Sequence, residues 1–185
     1  MTARERLNHF FNSDPILAKK SLGQNFLISD FAINLVINKI KQLDKKTIIE
    51  IGPGPGALTD LIRSLDCDIT LIELDENFSQ YWTNQNLKVI NQDALQVNWK
   101  SFENKSNTVL VSNLPYQISS SIVIDRSIDE ESLGNMILMF QKEVAQKIRA
   151  KPKTSEFGLL SLIAQSFWKI ENICDLGLRD FIPAP

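Results

Sequence analysis

The stretch Thr47-Ile-Ile-Glu-Ile-Gly-Pro-Gly-Pro-Gly-Ala57 decides the fold of this 185-residue chain. Its apolar run from Thr47 to Ile51 is typical of a strand buried in a parallel sheet. Three glycines follow it, and the segment from Ala57 to Leu65 is predicted to be a helix. Glycines in a strand-to-helix turn let another molecule approach the backbone closely. The stretch therefore predicts the first unit of an α/β fold, with a binding site at its turn.

Strands and helices continue to alternate on both sides of this stretch. Further strands are predicted at Ile69 to Glu73, Leu87 to Asn91, Thr108 to Ser112, Met136 to Phe140 and near Ile170 to Asp175. Helices are predicted after a cap at Ser29 and Asp30, at Asn77 to Gln85, Ile118 to Ile128, Gln141 to Ala150 and Leu159 to Trp168. This alternation indicates a Rossmann-like α/β domain, with a mostly parallel central sheet and helices on both faces.

Composition excludes several classes of protein. The chain is 43% hydrophobic and 23% charged, which argues against membrane, collagen-like and disordered proteins. Its 20 basic and 22 acidic residues leave no globally basic surface, so a nucleic acid would have to bind a local patch. Cys67 and Cys174 are far apart and favour reduced thiols in a cytoplasmic protein. With His9 as its one histidine, the chain predicts neither a histidine-rich metal site nor a Ser-His-Asp triad.

Polar or special-backbone residues follow four of the predicted strands. These are Gly52 to Gly56, Glu73 with Asp75, Asp93, and Asn113 to Tyr116. The carboxyl ends of parallel strands form the ligand-binding edge of such sheets. The glycine turn and Glu73 fit either an NAD enzyme or an S-adenosylmethionine enzyme. A turn that only connects a strand to a helix and binds no ligand is the remaining alternative. Asp93 suits the exocyclic amine of an adenine or, equally, a turn cap.

The turn Asn113-Leu-Pro-Tyr116 is the most specific feature of the chain. The N6 amine of adenine is a poor nucleophile, and acceptors such as the Asn113 oxygen and the Leu114 carbonyl can favour its pyramidal form. Pro115 favours extended geometry at Leu114, which would direct that carbonyl into the site. Tyr116 offers a face on which an extruded base can stack. A turn with no chemistry is the alternative.

A series of ordered motifs adds to this interpretation. They are Lys20 to Leu27, Glu50 to Thr59, Glu73 to Asp75, Gln92 to Leu95, Asn113 to Tyr116, Gln141 to Val144, Phe157-Gly158 and Phe181 to Pro183. On these motifs the chain resembles the KsgA/RsmA family, the ribosomal small-subunit RNA adenine-N6 dimethyltransferases, which are related to the Erm enzymes of 23S rRNA. Erm proteins usually carry Ile at the position of Leu114 and lack the proline at Pro53, which favours the KsgA branch.

The resemblance implies a class I S-adenosylmethionine-dependent methyltransferase. Such an enzyme dimethylates two adjacent adenines near the 3′ end of 16S rRNA, and its partner is the small-subunit rRNA of a 30S precursor. The residues implied in cofactor contact are Asn25, Leu27, Gly52, Glu73, Asp93 and Asn113. The residues implied at the reacting centre are Asn113, Leu114, Pro115 and Tyr116, with the target adenine between Tyr116 and Phe181. A cytoplasmic monomer without a metal is expected.

The resemblance also implies a domain division. Residues 1–28 are expected to form an N-terminal arm with the cofactor-contacting motif, and residues 29–185 the methyltransferase core. Members of the family continue into a final strand and a small helical domain, so we expect a chain truncated at its C-terminus.

A local basic patch suggests where RNA would approach. Residues 142–153 hold five basic residues and one acidic residue, a net charge of +4. We expect RNA contacts from Lys19, Lys20, Lys142, Lys147 and Arg149. A solvated helix face is the simpler alternative. A non-catalytic ribosome-assembly factor and, less favoured, an NAD-dependent oxidoreductase remain as alternative functions.

Overall fold

The computed structural model describes residues 1–13, 24–102, 105–129 and 133–185. Its strands are β1 Phe26–Leu27, β2 Thr47–Ile51, β3 Asp68–Ile72, β4 Lys88–Ile90, β5 Thr108–Asn113, β6 Asn135–Met139 and β7 Phe181–Ile182. Its α-helices are α1 Ala3–Ser13, α2 Asp30–Leu43, α3 Thr59–Ile62, α4 Glu76–Asn84, α5 Ser119–Ile128, α6 Lys142–Ile148 and α7 Leu159–Phe167. Within the described segments, no helix combines the length and the apolar character needed to cross a membrane.

Five strands form one parallel sheet in the order β4-β3-β2-β5-β6. Strands β3 and β4 are therefore added on one side of β2, and strands β5 and β6 on the other. The strand order reverses between β2 and β5, and a crevice opens at the carboxyl ends of strands on either side of such a point. The predicted parallel sheet is confirmed, and its topology places the glycine turn beside the end of β5.

Helices cover both faces of the sheet, as predicted. Ile48, Val109 and Val111 belong to one buried cluster with the apolar side of α2. Their neighbours along the same strands point the other way, so that Ile49 and Leu110 belong to a second cluster. That second cluster includes Ile122 of α5 and the segment around Trp99. Side chains of successive strand residues alternate between faces, which explains why these strands are apolar throughout.

The helix α1 is a part of the fold that the sequence did not predict. Residues 3–13 fall in the segment assigned above to an arm, yet Leu7 and Phe10 are buried. Phe10 lies against Phe78 of α4, with ring centroids 5.8 Å apart. The apolar positions of α1 are therefore explained by packing on α4.

Two element predictions were wrong. No strand forms at residues 170–175, because Glu171 pairs with Lys39 at 2.9 Å and Cys174 packs against the α2 side of the core. A short antiparallel pair forms elsewhere, with Leu27 of β1 opposite Phe181 of β7. The helix after the glycine turn is also shorter than predicted, and α3 spans only Thr59–Ile62.

The predicted start of α2 is confirmed, but the side-chain capping that was expected to fix it is not observed. Ser29 is the N-cap residue, but its side chain makes no capping hydrogen bond. The carboxylate of Asp30 instead accepts a hydrogen bond from the backbone N–H of Ala3 at 2.8 Å. A residue expected to cap α2 therefore anchors the beginning of α1.

Candidate active site

A cavity of about 320 Å³ opens at the carboxyl ends of the strands, at the point where the strand order reverses. Its wall is built by the glycine turn after β2, the residues after β3 and β4, the end of β5 and the segment that includes β1. Five separate stretches of sequence thus meet at one site. Ligand sites of small molecules have volumes of about 300 to 1,000 Å³, so the cavity is large enough for one.

The glycine turn needs glycine for two different reasons. Gly52 has φ of 65°, a left-handed conformation that other residues rarely adopt, while a Cβ there would meet no atom within 4 Å. Gly56 has φ of 96°, and a Cβ there would lie 2.7 Å from the ring of Trp82. The indole N–H of Trp82 donates to the Gly54 carbonyl at 2.8 Å. Helix α4 therefore packs against the turn at Gly54 and Gly56, while the space beside Gly52 is open.

Glu73 follows β3 and is held by two backbone N–H groups. One carboxylate oxygen accepts from Gly54 at 3.2 Å, and the other accepts from Asp75 at 2.8 Å. Its side chain lines the cavity although the residue is buried. Burial raises the pKa of Glu73 to about 7, and the two hydrogen bonds oppose that rise. The site therefore holds an oriented carboxyl group whose pKa lies well above its ordinary value.

Glu50 is a second buried carboxylate in the cavity wall. The hydroxyl of Thr59 donates to it at 2.7 Å. Burial raises the pKa of Glu50 to about 8, and the nearby acids Asp60 and Glu73 add to the rise, whereas the Thr59 bond opposes it. The sequence analysis assigned Glu50 no role. An acidic residue inside an otherwise apolar strand, two residues before the first glycine of the turn, was the available signal.

Asp93 serves as a turn cap, the alternative that the sequence left open. Its carboxylate accepts a hydrogen bond from the backbone N–H of Leu95 at 2.9 Å. The same residue also lines the cavity, beside Ala94. Because only one carboxylate oxygen is used in the cap, capping and ligand contact are compatible.

Residues 24 and 25 connect two edges of the cavity. The Gln24 amide donates to Asp75 at 3.1 Å, beyond β3. The Asn25 amide donates to the Tyr116 hydroxyl at 3.1 Å, beyond β5. The Asn113 amide in turn donates to the backbone carbonyl of Asn25 at 2.9 Å. This segment therefore holds both ends of the Asn113 to Tyr116 turn.

The hydrogen bond from Asn113 determines how its amide is turned. A backbone carbonyl only accepts hydrogen bonds, so the NH₂ group of Asn113 must face Asn25. The amide oxygen of Asn113 then points elsewhere, and within the described residues it accepts no hydrogen bond. An unused acceptor at the cavity wall is the feature that a bound amine would require.

Most of the predicted site residues meet at this cavity. Those on its wall are Asn25, Leu27, Gly52, Glu73, Asp93, Asn113, Leu114, Pro115 and Tyr116. Phe181 is not among the lining residues of the described part of the chain, since it lies in β7 opposite Leu27. Gln24 also lines the cavity, and the sequence analysis missed it although it belongs to a quoted motif.

Three of the predicted RNA-contacting residues are described by the structure, and they do not line the cavity. Lys142, Lys147 and Arg149 are exposed, on α6 and at its end. Lys19 and Lys20 lie outside the described residues. In the ranges that the structure describes, no group of three or more His, Cys, Asp or Glu side chains could hold a metal ion.

One known protein family matches nearly the whole chain. Residues 16–185 match the family described as ribosomal RNA adenine dimethylase. The chain belongs to this family. The match covers every described strand and helix except α1, including the five stretches that build the cavity. The predicted resemblance and the Rossmann-like methyltransferase fold are therefore confirmed.

Individual relatives of this adenine dimethylase agree with the assignment. The chain is 54% identical to ribosomal RNA small subunit methyltransferase A of Bdellovibrio bacteriovorus, over 99% of this chain and 67% of that protein. It is 36% identical to the protein of the same name from a Sulfurihydrogenibium species, over 92% of this chain and 69% of the relative. The chain thus spans about two thirds of the length of these relatives.

Solved structures show the same fold. A dimethyladenosine transferase from Plasmodium falciparum superimposes with a TM-score of 0.76 and 25% identity, over 86% of this chain and 59% of that one. The 23S rRNA methyltransferase ErmE superimposes with a TM-score of 0.66 and 24% identity, over 87% of this chain and 65% of that one. The second likeness extends to the fold alone.

Proposed function

We propose that this adenine dimethylase transfers methyl groups from S-adenosylmethionine to N6 of two adjacent adenines near the 3′ end of small-subunit rRNA, in a cytoplasmic 30S precursor. One observation carries the proposal. A single cavity contains both the glycine turn with Glu73 and the Asn113 to Tyr116 turn. Family membership and the names of the two relatives support the choice of RNA substrate.

The residues of the cavity fit the cofactor. Gly52 leaves open space at the turn, where a side chain would otherwise project. Glu73 retains lone pairs that can accept hydrogen bonds from ribose hydroxyls, and Asp93 beside Ala94 suits an adenine ring. When bound, S-adenosylmethionine supplies a methyl group on a sulfonium, from which a nitrogen nucleophile can displace it in line.

Asn113 would prepare the target nitrogen. Its amide oxygen is available because its NH₂ group is bonded to the Asn25 carbonyl. That oxygen and the Leu114 carbonyl can accept the two amine hydrogens and localise the nitrogen lone pair. Tyr116 would stack on the extruded base, and Phe181 would cover the opposite face.

No strong base is needed in this scheme. The alkylated amine becomes acidic once its lone pair is used, so its proton can pass to Asn113 or to water. This agrees with a cavity whose wall holds no histidine in the part of the chain that the structure describes. The chemistry depends on positioning, which the hydrogen bonds among Asn25, Asn113 and Tyr116 provide.

Methylation of an undermethylated small ribosomal subunit tests the proposal. The chain is incubated with S-adenosylmethionine and the subunit, and dimethyladenosine in the RNA is measured by mass spectrometry. We expect two dimethylated adenines per subunit. Asn113→Ala should lower the rate by about 10²- to 10³-fold, because one positioned acceptor is lost. Asn172→Ala is the matched control, since Asn172 is exposed and its side chain donates to Asp175 at 3.5 Å, its one side-chain hydrogen bond among the described residues.

Other outcomes separate the alternatives. Methylation of large-subunit RNA instead would indicate an Erm-type enzyme. Calorimetry that detects NAD binding but no S-adenosylmethionine binding would indicate an oxidoreductase. An Asn113→Ala chain that methylates at the normal rate would contradict the role of Asn113, and a folded, cofactor-binding chain that leaves the RNA unmethylated would contradict the proposal.

A further inference from the structure

The hydroxyl of Tyr116 is held by two side-chain amides from distant parts of the chain. Asn25 donates to the hydroxyl oxygen at 3.1 Å. The side chain of Gln141 interacts with the same group. Burial raises the pKa of the Tyr116 phenol, and both amides act in the opposite direction, as donors to a phenol oxygen do. The phenol end of this ring is therefore restrained.

The sheet brings Gln141 to this position. Met139 of β6 is the residue that pairs with Asn113 of β5, so Gln141 lies two residues beyond that pair. Tyr116 lies three residues beyond Asn113 on the neighbouring strand. The two parallel strands thus end side by side, and the residues that follow them meet above the sheet edge. A contact between residues 116 and 141 is a direct result of the register.

The backbone of Gln141 is itself fixed. It is the N-cap residue of α6, with an extended conformation at φ of −59° and ψ of 151°. Its carbonyl accepts a hydrogen bond from the N–H of Ala145 at 3.0 Å. Its side chain makes no capping hydrogen bond, so the amide is left to interact with Tyr116. Glutamine is a less favoured N-cap residue than serine or aspartate, so its presence here calls for a reason other than capping.

We propose that Gln141 is a positioning residue, which restrains the Tyr116 ring in the orientation needed to stack on the target adenine. The proposal rests on the proposed function, since it concerns the same reaction. Tyr116 is only half buried and follows a turn, so packing alone does not lock its ring. Asn25 bonds both to Tyr116 and, through its carbonyl, to Asn113. Gln141 is thus the restraint on Tyr116 that is independent of Asn113.

A double-mutant cycle tests this role. Gln141→Ala should lower kcat/KM for the small-subunit RNA by about tenfold, because a freed ring stacks less well on the base. In a Tyr116→Phe background, where the hydroxyl is absent, the same substitution should have almost no further effect. The affinity for S-adenosylmethionine, measured by calorimetry, should change by less than about twofold in Gln141→Ala. Gln146→Ala, on the exposed side of α6, is the matched control.

A spectroscopic measurement tests the contact directly. The chain has two tyrosines, so in a Tyr81→Phe background the phenolate absorbance reports Tyr116 alone. Gln141→Ala should raise the pKa of Tyr116, because a donor to the phenolate is removed. Gln141→Met keeps the length of the side chain without its amide and should give the same shift and the same loss of rate. It replaces Gln141→Ala if that variant unfolds.

Each result counts for or against the role of Gln141. An unchanged rate in both Gln141 variants would overturn it, and so would an equal loss of rate in the wild-type and Tyr116→Phe backgrounds. If the wild-type chain binds S-adenosylmethionine but forms no dimethyladenosine, the proposed function fails together with this role. A wild-type chain that methylates normally while Gln141→Ala is unaffected contradicts the positioning role alone.

Discussion

Two buried carboxylates, Glu50 and Glu73, are the most unusual residues of the cavity. Both pKa values are raised mainly by burial, to about 8 for Glu50 and about 7 for Glu73. The ordinary value for either group is 4.5. Neither carboxylate is paired with a cation in the described structure. Each depends on hydrogen bonds from neutral groups, namely Thr59 for Glu50 and backbone N–H groups for Glu73.

Stability should therefore fall as pH rises. Between about pH 4.5 and pH 8 the folded protein keeps a proton on Glu50 that the unfolded chain has lost, so higher pH favours unfolding. The loss of stability begins near the pKa of Glu50 in the unfolded chain and is complete above the pKa of Glu50 in the folded protein. Glu50→Gln cannot ionise and should be more stable than the wild type at pH 8.5 by roughly 2–4 kcal/mol, with a difference below about 1 kcal/mol at pH 5.

Urea unfolding at both pH values measures the effect. The exposed residue Glu143 provides the control, and Glu143→Gln should follow the wild type at both pH values. Parallel curves for the wild type and Glu50→Gln would show that Glu50 is ionised in the folded protein.

At the scale of elements, the strand–turn–helix unit depends on α4 as much as on its own sequence. Trp82 of α4 is fully buried, donates its N–H to Gly54 and lies directly behind Gly56. Glycine patterns predicted the turn, but they did not show what it packs against. The tryptophan explains why the third glycine of the turn leaves no room for a side chain.

A methyl group at Gly56 should therefore be costly. Gly56→Ala places a Cβ 2.7 Å from the Trp82 ring and requires φ of 96°, so we expect a loss of about 3 kcal/mol or more in the free energy of unfolding. Gly158→Ala is the control, because a Cβ there meets no atom within 4 Å and its φ of −151° suits any residue. Its stability should change by about 1 kcal/mol at most. Equal stabilities of the two variants, measured by chemical unfolding, would mean that the turn moves away from Trp82 at little cost.

At the scale of the whole molecule, charge is distributed unevenly. The net charge is only −2, but residues 142–153 carry +4 and begin directly after Gln141. The cavity wall, in contrast, contains Glu50, Glu73 and Asp93. The basic segment 142–153 lies outside the cavity, so phosphate attraction is separate from the site of reaction, which suits an RNA substrate.

Reversal of two charges on this surface should weaken RNA binding. Lys147→Glu combined with Arg149→Glu removes two exposed cations that we propose contact phosphate, so we expect weaker binding of small-subunit RNA and a salt dependence whose slope is smaller by about 1–2. Lys41→Glu with Lys46→Glu makes the same charge change near the amino ends of the strands, and its salt slope should match the wild type. Filter binding at several salt concentrations measures both. Equal salt-dependence slopes in all three proteins would show that Lys147 and Arg149 do not contribute to RNA binding.

Much of the fold was predictable because its signals are local. Apolar runs such as Thr47 to Ile51, and helical spacing in α2 and α5, arise from burial of each element on the sheet. The strand predicted at residues 170–175 was wrong because its apolar residues do not share one buried surface. Cys174 packs in the α2 cluster, Ile170 packs in the cluster of α5 and α7, and Ile173 is exposed. Helix α1 was missed because its apolar side chains pack against residues that are distant in sequence, such as Phe26 of β1 and Phe78 of α4.

The sequence by itself determined the α/β fold, the family and the residues that surround the cavity, because each follows from short motifs and from the periodicity of single elements. Only the tertiary structure decided how those residues act on one another. Asn113 bonds to Asn25 across 88 positions and Asn25 to Tyr116 across 91, and neither partner can be inferred from local spacing. The raised pKa of Glu50 likewise results from burial by surrounding elements, which no residue encodes alone.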